Sequence, residues 1–370
     1  MDSRSGRRLR IVELDILRGL AFFAVVFQHT VGIYIRKPDV GPIEAQVMGL
    51  LFNLSKFAVP MFVFITGIVL FYNYYENLDY RRFISRRVTE ILVPYALWTV
   101  IYNYFYFRSI TFDAVWLKTI VKSLLSGEGA YHLWYIVMIF QFYLFFPLIR
   151  QVFKIIGKTI TRHSLLILAA VGLGYIVLMW AAGEHSSIFG TKGLIRNLFV
   201  SYRSRNALYY IFYFVLGAFA GLNIHWWRNL SAKYQKPVLF LFVIFFVWVG
   251  AQLLSGEKIN LSISTTLKTS MFLYTITQIV LLYNISVLIT ERYPRVFSVI
   301  SFVGKYSLGA YLMHALTLDY TVRALYKFIP TTHYLVPNLL AFMICSAVSV
   351  ALAKLIGMIP FGFLLTGSGR

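Results

Sequence analysis

Ten runs of about 20 mostly apolar residues divide this chain, and they limit its fold more than any other feature. A helix that crosses the hydrocarbon core of a bilayer needs about 20 such residues. The predicted membrane-spanning helices cover residues 14–35, 47–73, 88–107, 131–149, 164–182, 207–223, 237–254, 269–289, 299–320 and 335–358. The sequence therefore predicts an all-α, polytopic membrane bundle of about ten transmembrane helices.

The composition agrees with a chain that is surrounded by lipid. Hydrophobic residues make up 59% of the 370 positions and charged residues only 13%, whereas soluble domains contain about 25% charged residues. No linker, low-complexity run or internal repeat interrupts the pattern. We therefore expect one domain over 1–370, with a basic tail at 1–13 and a second tail at 359–370, in a multi-pass protein of the cell membrane.

The net charge of +21 comes from Lys and Arg in the short loops between the apolar runs. If the N-terminus lies inside, the cytoplasmic segments carry 18 of these residues and the opposite loops 13, a bias that places both termini in the cytoplasm. No contiguous basic domain is present, so the charge fits membrane topology and contact with anionic lipids, and nucleic acid is not an expected partner.

The first predicted helix carries two basic residues in an apolar setting, Arg18 and His29. They are eleven positions apart, which at 100° per residue leaves about 20° after three turns, so both project from one face. The rise of the helix separates them by about 16.5 Å. Asp15 lies three positions before Arg18 and can pair with it. Ionisable groups in a bilayer are tolerated where they face protein or water, although Arg18 and His29 could instead reach the two membrane interfaces separately.

Five segments together resemble the membrane-bound acyltransferase-3 family. The first helix contains the Arg, ten residues and His that mark the family's first helix, and the other segments follow in the family's order. These segments are LDILRGLAFFAVVFQHT (14–30), FVFITGIVLF (62–71), RRFISRRVTEILVPYALW (81–98), AYHLWYIVMIFQFYLFFPL (130–148) and SFVGKYSLGAYLMHALTL (301–318). The resemblance implies an integral membrane O-acyltransferase that moves an acyl group, usually acetyl, from cytoplasmic acyl-CoA to a hydroxyl of an envelope polysaccharide or a lipid-linked sugar.

The attack of an alcohol on a thioester indicates roles for Arg18 and His29 of the first predicted helix. An alcohol needs a base to take its proton, and a neutral imidazole suits this role, so His29 is the predicted base. Arg18 stays protonated and could hold part of the CoA chain or neutralise developing charge.

Four basic residues are candidates for holding the CoA phosphates: Arg82, Arg86, Arg87 and Lys305. Arginine forks suit phosphate oxygens, but positive-inside topology explains basic loops equally well. The loop also departs from the family pattern, because Glu90 stands three positions after Arg87 where a second basic residue is usual.

Four residues of the outer half are candidates for binding the acceptor: His132, Trp134, Tyr135 and His314. Trp and Tyr are also common at membrane interfaces for reasons unrelated to a substrate. If the outer histidines share one interior, His314 should lie within roughly 10 Å of His29 and the first and ninth helices should be neighbours. A polar cavity should then run from the cytoplasmic face past Arg18 to His29.

Three other interpretations stay open or are disfavoured. A zinc site of three histidines lacks a close-spaced ligand pair, so no metal is expected. A transporter of a saccharide or lipid intermediate would also need many helices and intramembrane charges. A non-catalytic scaffold would tolerate the loss of Arg18 and His29, and the sequence leaves homo-oligomerisation undecided.

Overall fold

A computed structural model of the protein describes residues 10–107, 113–157, 163–183, 185–256, 258–328 and 333–367. Within these ranges all regular structure is helical. Most of the predicted basic N-terminal tail, residues 1–9 with Arg4, Arg7 and Arg8, lies outside the described residues, as do the last residues of the C-terminal tail, 368–370.

Fifteen α-helices of four or more residues are described. In chain order they are α1 (Glu13–Tyr34), α2 (Pro42–Leu54), α3 (Ala58–Tyr74), α4 (Tyr80–Arg87), α5 (Val93–Phe107), α6 (Ala114–Ser126), α7 (Trp134–Ile156), α8 (Ser164–Gly183), α9 (Ile211–Leu222), α10 (Ile224–Lys233), α11 (Gln235–Leu254), α12 (Thr269–Arg292), α13 (Pro294–Phe328), α14 (Leu335–Met358) and α15 (Phe363–Thr366). A π-helical turn, Val88–Leu92, joins α4 to α5.

The helical membrane fold is confirmed. Eight helical segments of the described chain are long and apolar enough to cross a membrane, with α2 and α3 counted as one segment; the ninth candidate is α9 with α10, bent by 111° at their junction. The predicted span 88–107 is not among them. Its α-helix, α5, has only 15 residues, or about 22 Å, against a hydrocarbon core of about 30 Å. The orientation of the termini stays a prediction.

Glycines bring the central helices into close contact. A Cβ atom on Gly304 of α13 would stand 1.9 Å from the carbonyl oxygen of Asp15 in α1, so only glycine permits this approach of the two backbones. The predicted contact between these helices, the first and ninth of the sequence pattern, is confirmed. It aligns the helix that carries Arg18 and His29 with the helix that carries His314.

A second close contact joins α3 and α9. The α9 glycines Gly217 and Gly221 are four residues apart, and a Cβ on Gly217 would meet the carbonyl oxygen of Phe64 at 2.1 Å. Small residues at this spacing let membrane helices pack closely. By contrast, α8 and α11 have only 22% and 17% of their apolar windows buried, so they form the lipid-facing rim. The core therefore centres on α1, α3, α9 and α13, beside the candidate site.

Candidate functional site

Three histidines from three different parts of the chain meet at one end of α1. The ring centroids of His29 (α1) and His314 (α13) are 5.3 Å apart and nearly stacked, and those of His132 and His314 are 4.5 Å apart. His132 lies in the turn that precedes α7. The predicted proximity of His29 and His314 is confirmed, and His132 joins them in a histidine cluster.

Backbone carbonyls fix two of the three imidazoles. His132 Nε2 lies 3.3 Å from the carbonyl oxygen of Leu312, and His314 Nδ1 lies close to the carbonyl oxygen of Tyr311. A carbonyl can only accept, so these nitrogens carry the protons and the neutral rings keep His132 Nδ1 and His314 Nε2 as acceptors. Both of these atoms are buried and have no hydrogen-bond partner among the described residues. The cluster thus holds two basic nitrogens that a substrate hydroxyl could satisfy.

Two tyrosines that the sequence did not single out complete the cluster. The Tyr131 ring centroid is 4.6 Å from that of His29, and Tyr311 Oη donates a hydrogen bond to the carbonyl oxygen of His132. The sequence does contain a signal for Tyr311 as a neighbour of His314, because it precedes His314 by three positions and so shares its helix face. Tyr131 is adjacent to His132, but adjacency alone does not predict contact with His29.

A cavity of about 180 Å³ lies on the other side of Tyr311. Its lining includes Arg18, Arg87, Tyr135 and Tyr311, and the rest is mostly aliphatic. The rings of Tyr135 and Tyr311 are 5.6 Å apart. None of the three histidines lines this inner cavity, so it does not extend from Arg18 to His29 as expected. Tyr311 stands between the two, because it lines the cavity and its ring contacts His132 and His314.

The two arginines of the inner cavity each have an acidic partner. Arg18 donates to Asp15 at 2.9 Å, and Asp15 also accepts from Arg10 at 2.6 Å. Arg87 pairs with Glu90 at 2.9 Å, and its side chain is only 16% exposed. Asp15 and Glu90 therefore hold the guanidinium groups of Arg18 and Arg87 in place at the inner cavity.

The other predicted phosphate ligands lie outside the inner cavity. Arg86 also pairs with Glu90, whose hydrogen bond and charge raise the pKa of the guanidinium, and it points to the surface with a side chain 65% exposed. Arg82 and Lys305 are exposed. Of the four, only Arg87 is brought beside Arg18; the phosphate-binding role stays a prediction for all of them.

Trp134 and Tyr135 diverge although they are adjacent in sequence. Tyr135 closes the inner cavity, whereas Trp134 lines a different cavity of about 460 Å³ together with Gln28, Lys56 and Tyr210. We call this the outer cavity, because it adjoins the histidine end of α1. The acceptor-binding residues predicted from the sequence are thus distributed over the cluster, the inner cavity and the outer cavity.

The histidine cluster is not arranged as a metal site. Across the described ranges, no group of three His, Cys, Asp or Glu side chains has a geometry that could hold a metal ion. The rings contact one another and backbone carbonyls instead.

Comparison with known proteins identifies the family. The model of an acyltransferase domain matches residues 11–358. Proteins of Staphylococcus aureus strains MSSA476, MRSA252 and MW2, each named as a probable poly-beta-1,6-N-acetyl-D-glucosamine export protein, are 26% identical to this chain over 271 residues, which cover 72% of it and 70% of the relative. No solved structure matches the chain. The protein is therefore a multi-pass membrane protein that belongs to the acyltransferase-3 family.

Proposed function

We propose that the protein transfers an acetyl group from cytoplasmic acyl-CoA to a hydroxyl of an envelope polysaccharide or of its lipid-linked precursor. The observation that supports the proposal is the order of three features along α1. Two arginines line an inner cavity, a tyrosine pair closes it, and three histidines stand directly behind that pair.

The arginine end of the inner cavity suits the donor. CoA is strongly anionic, and guanidinium groups bind phosphate oxygens through paired hydrogen bonds. A volume of about 180 Å³ accommodates the thioester end of the donor rather than the nucleotide. The CoA phosphates would therefore stay at the membrane surface near Arg87, while the thioester approaches Tyr135 and Tyr311.

The histidine end suits the acceptor. His29 takes the proton of the attacking hydroxyl, the oxygen forms a bond to the thioester carbon, and the bond from that carbon to sulfur breaks to release CoA thiolate, which then takes up a proton. His132 Nδ1 and His314 Nε2 can accept hydrogen bonds from the acceptor's hydroxyls. Passage of the thioester to the cluster requires the tyrosine pair to separate.

Comparative analysis of cell envelopes tests this function. Envelope saccharides from cells with and without the protein should differ by a base-labile ester, and a plasmid copy should restore it where a His29→Ala copy should not. Identical ester content in the two strains would contradict the proposal.

A second candidate function is export of a saccharide, which the names of the relatives favour. An exporter needs a passage for its cargo, so radiolabelled saccharide should cross proteoliposomes that contain the protein without any acyl donor. Movement that requires no acyl-CoA, together with unchanged ester content, would favour export over transfer.

A further inference from the structure

The outer cavity is lined mainly by polar side chains, although it lies in a membrane protein. Its walls come from the end of α1, the turn between α2 and α3, the start of α7, and the segments 201–210 and 261–267. The hydroxyl-bearing Ser and Thr residues of the lining are Ser201, Ser204, Ser262, Ser264, Thr265 and Thr266.

One of these hydroxyls is buried without a partner. Ser264 is 1% exposed, and its Oγ makes no hydrogen bond among the described residues. A buried polar atom without a partner costs free energy unless a ligand or water satisfies it. Trp134 and Tyr210 add two aromatic rings with centroids 6.3 Å apart. Clustered hydroxyls beside aromatic faces match the alternating polar edges and apolar faces of a sugar ring.

The cavity also carries positive charge that the described residues do not neutralise. Lys56 and Arg203 line it, and neither forms an ion pair with any residue in the described ranges. The Lys56 ammonium lies over the ring of Phe52 at 4.6 Å. No Asp or Glu is among the lining residues that the structure describes. Two cations without carboxylate partners favour a ligand that brings a negative charge.

Residues that line the outer cavity are close in sequence to two of the clustered histidines, although no histidine lines the cavity itself. Gln28 lines it and precedes His29 in α1, and Gln28 Nε2 donates at 2.7 Å to the carbonyl oxygen of Ser55, next to Lys56. A ligand held here would lie beside the segment of α1 that carries His29.

We propose that the outer cavity is the acceptor site and that it selects a saccharide carrying a negative charge, either a carboxylate or a phosphate. This inference rests on the proposed transferase function and names its substrate class. The hydroxyls and aromatic rings hold the sugar, and Lys56 and Arg203 bind its anionic group.

Binding to the purified full-length protein in nanodiscs of zwitterionic lipid tests the proposal. The probes are glucuronic acid against glucose, and N-acetylglucosamine 1-phosphate against N-acetylglucosamine; the two pairs distinguish the carboxylate from the phosphate. At least one charged probe should bind about 10-fold or more tightly than its neutral partner, as expected for a charge-assisted contact. Lys56→Gln and Arg203→Gln should each reduce this preference.

Two further variants control the experiment. Lys56→Arg keeps the charge and should keep the preference, and Lys258→Gln removes an exposed lysine that does not line the cavity and should change nothing. Equal binding of charged and neutral probes would overturn the proposal, as would a preference that survives in the double Gln variant. Occupation by added phosphatidylglycerol with no preference among the sugars would assign the cavity to lipid instead.

Hydrolysis of acyl-CoA by the same samples separates this inference from the proposed function. If hydrolysis persists while the sugar preference is absent, only the acceptor class is wrong. If hydrolysis is absent as well, the transferase function itself fails.

Discussion

His29 differs from the other two histidines of the cluster in its exposure. His132 and His314 are 2% and 0% exposed and are tied to backbone carbonyls, whereas His29 is half-buried. A general base has to reach the hydroxyl that it deprotonates. The partial exposure of His29 therefore suits the role of the base. The enclosed positions of His132 and His314 suit the role of holding the acceptor.

Replacement of His29 by Ala should lower the rate of acyl transfer by about 10²–10⁴-fold, the usual contribution of a general base. Expression and elution on size exclusion should stay close to wild type, because His29 is partly exposed and the close approach of α1 to α13 depends on Gly304 rather than on the imidazole. His225→Ala, which removes an exposed histidine of α10, is the matched control. Retention of more than half of the activity by His29→Ala would exclude it as the base.

Replacement of Arg87 by Ala should raise the KM for acyl-CoA by about 10–150-fold, equivalent to one lost charge-assisted hydrogen bond. Arg87→Lys should recover only part of the loss, because it lacks the planar fork. Arg82→Ala, at an exposed position outside the inner cavity, should have a much smaller effect. Steady-state kinetics with varied acyl-CoA gives the KM of each of the three variants. A KM for Arg87→Ala equal to that of the wild type would mean that Arg87 serves membrane topology and not donor binding.

The sequence predicted residue positions best where helical geometry alone decides them. The spacing of eleven predicts Arg18 and His29 on one face. Arg18 lines the inner cavity with residues of α7 and α13, and His29 contacts His314 of α13 and Tyr131 in the turn before α7. Trp134 and Tyr135 are both predicted to bind the acceptor in the outer half, but successive helical residues differ by about 100° in direction, and the two line different cavities. Which cavity each enters depends on segments far away in sequence, such as 201–210.

At the scale of the helices, the contact between α1 and α13 depends on Gly304. In Gly304→Ala the new Cβ would meet the Asp15 carbonyl at 1.9 Å, so the helices must separate, at a cost of about 1–3 kcal/mol. We expect a lower melting temperature and lower activity, measured by thermal unfolding in detergent. Gly174→Ala in α8, whose Cβ would meet nothing within 4 Å, should melt at or above the wild-type temperature; equal melting of both variants would contradict the packing account.

The turn before α7 is held to α13 by Tyr311. Tyr311→Phe removes the hydrogen bond to the His132 carbonyl while it keeps the ring in the tyrosine pair. Because Tyr311 acts by positioning His132, kcat should fall about 10-fold, one net hydrogen bond, with the KM for acyl-CoA nearly unchanged. A change in KM alone would indicate contact with the donor instead.

Element boundaries show where sequence reasoning reaches its limit. Hydropathy located the runs because a bilayer requires them, and the predicted span 207–223 ends within one residue of the end of α9. It does not show that α10 follows at once, bent by 111°. Nor does it register the π-helical turn before α5. The bend has a local signal that hydropathy does not detect, because the Asn223 side chain accepts a hydrogen bond from the backbone N–H of Trp226 and so begins α10.

At the scale of the whole molecule, the charge bias predicts which end of the bundle faces the cytoplasm. Cys345 is fully buried, so single cysteines introduced elsewhere can be labelled above a low background. Arg81→Cys should react with a membrane-impermeant maleimide only after the cells are opened, and Lys192→Cys should react in intact cells. The reverse pattern would invert the orientation and place the inner cavity outside.

Acyl-CoA is proposed to donate a group that His29 helps to transfer, and this transfer can be measured directly. The most direct measurement incubates the purified protein in nanodiscs with radiolabelled acetyl-CoA and envelope saccharide from cells that lack the protein, and follows base-labile label in the saccharide. We expect label in the saccharide that depends on the protein and falls by at least about 100-fold in His29→Ala. The proposed transfer would be contradicted if CoA were released, and the saccharide labelled, no faster than in empty nanodiscs.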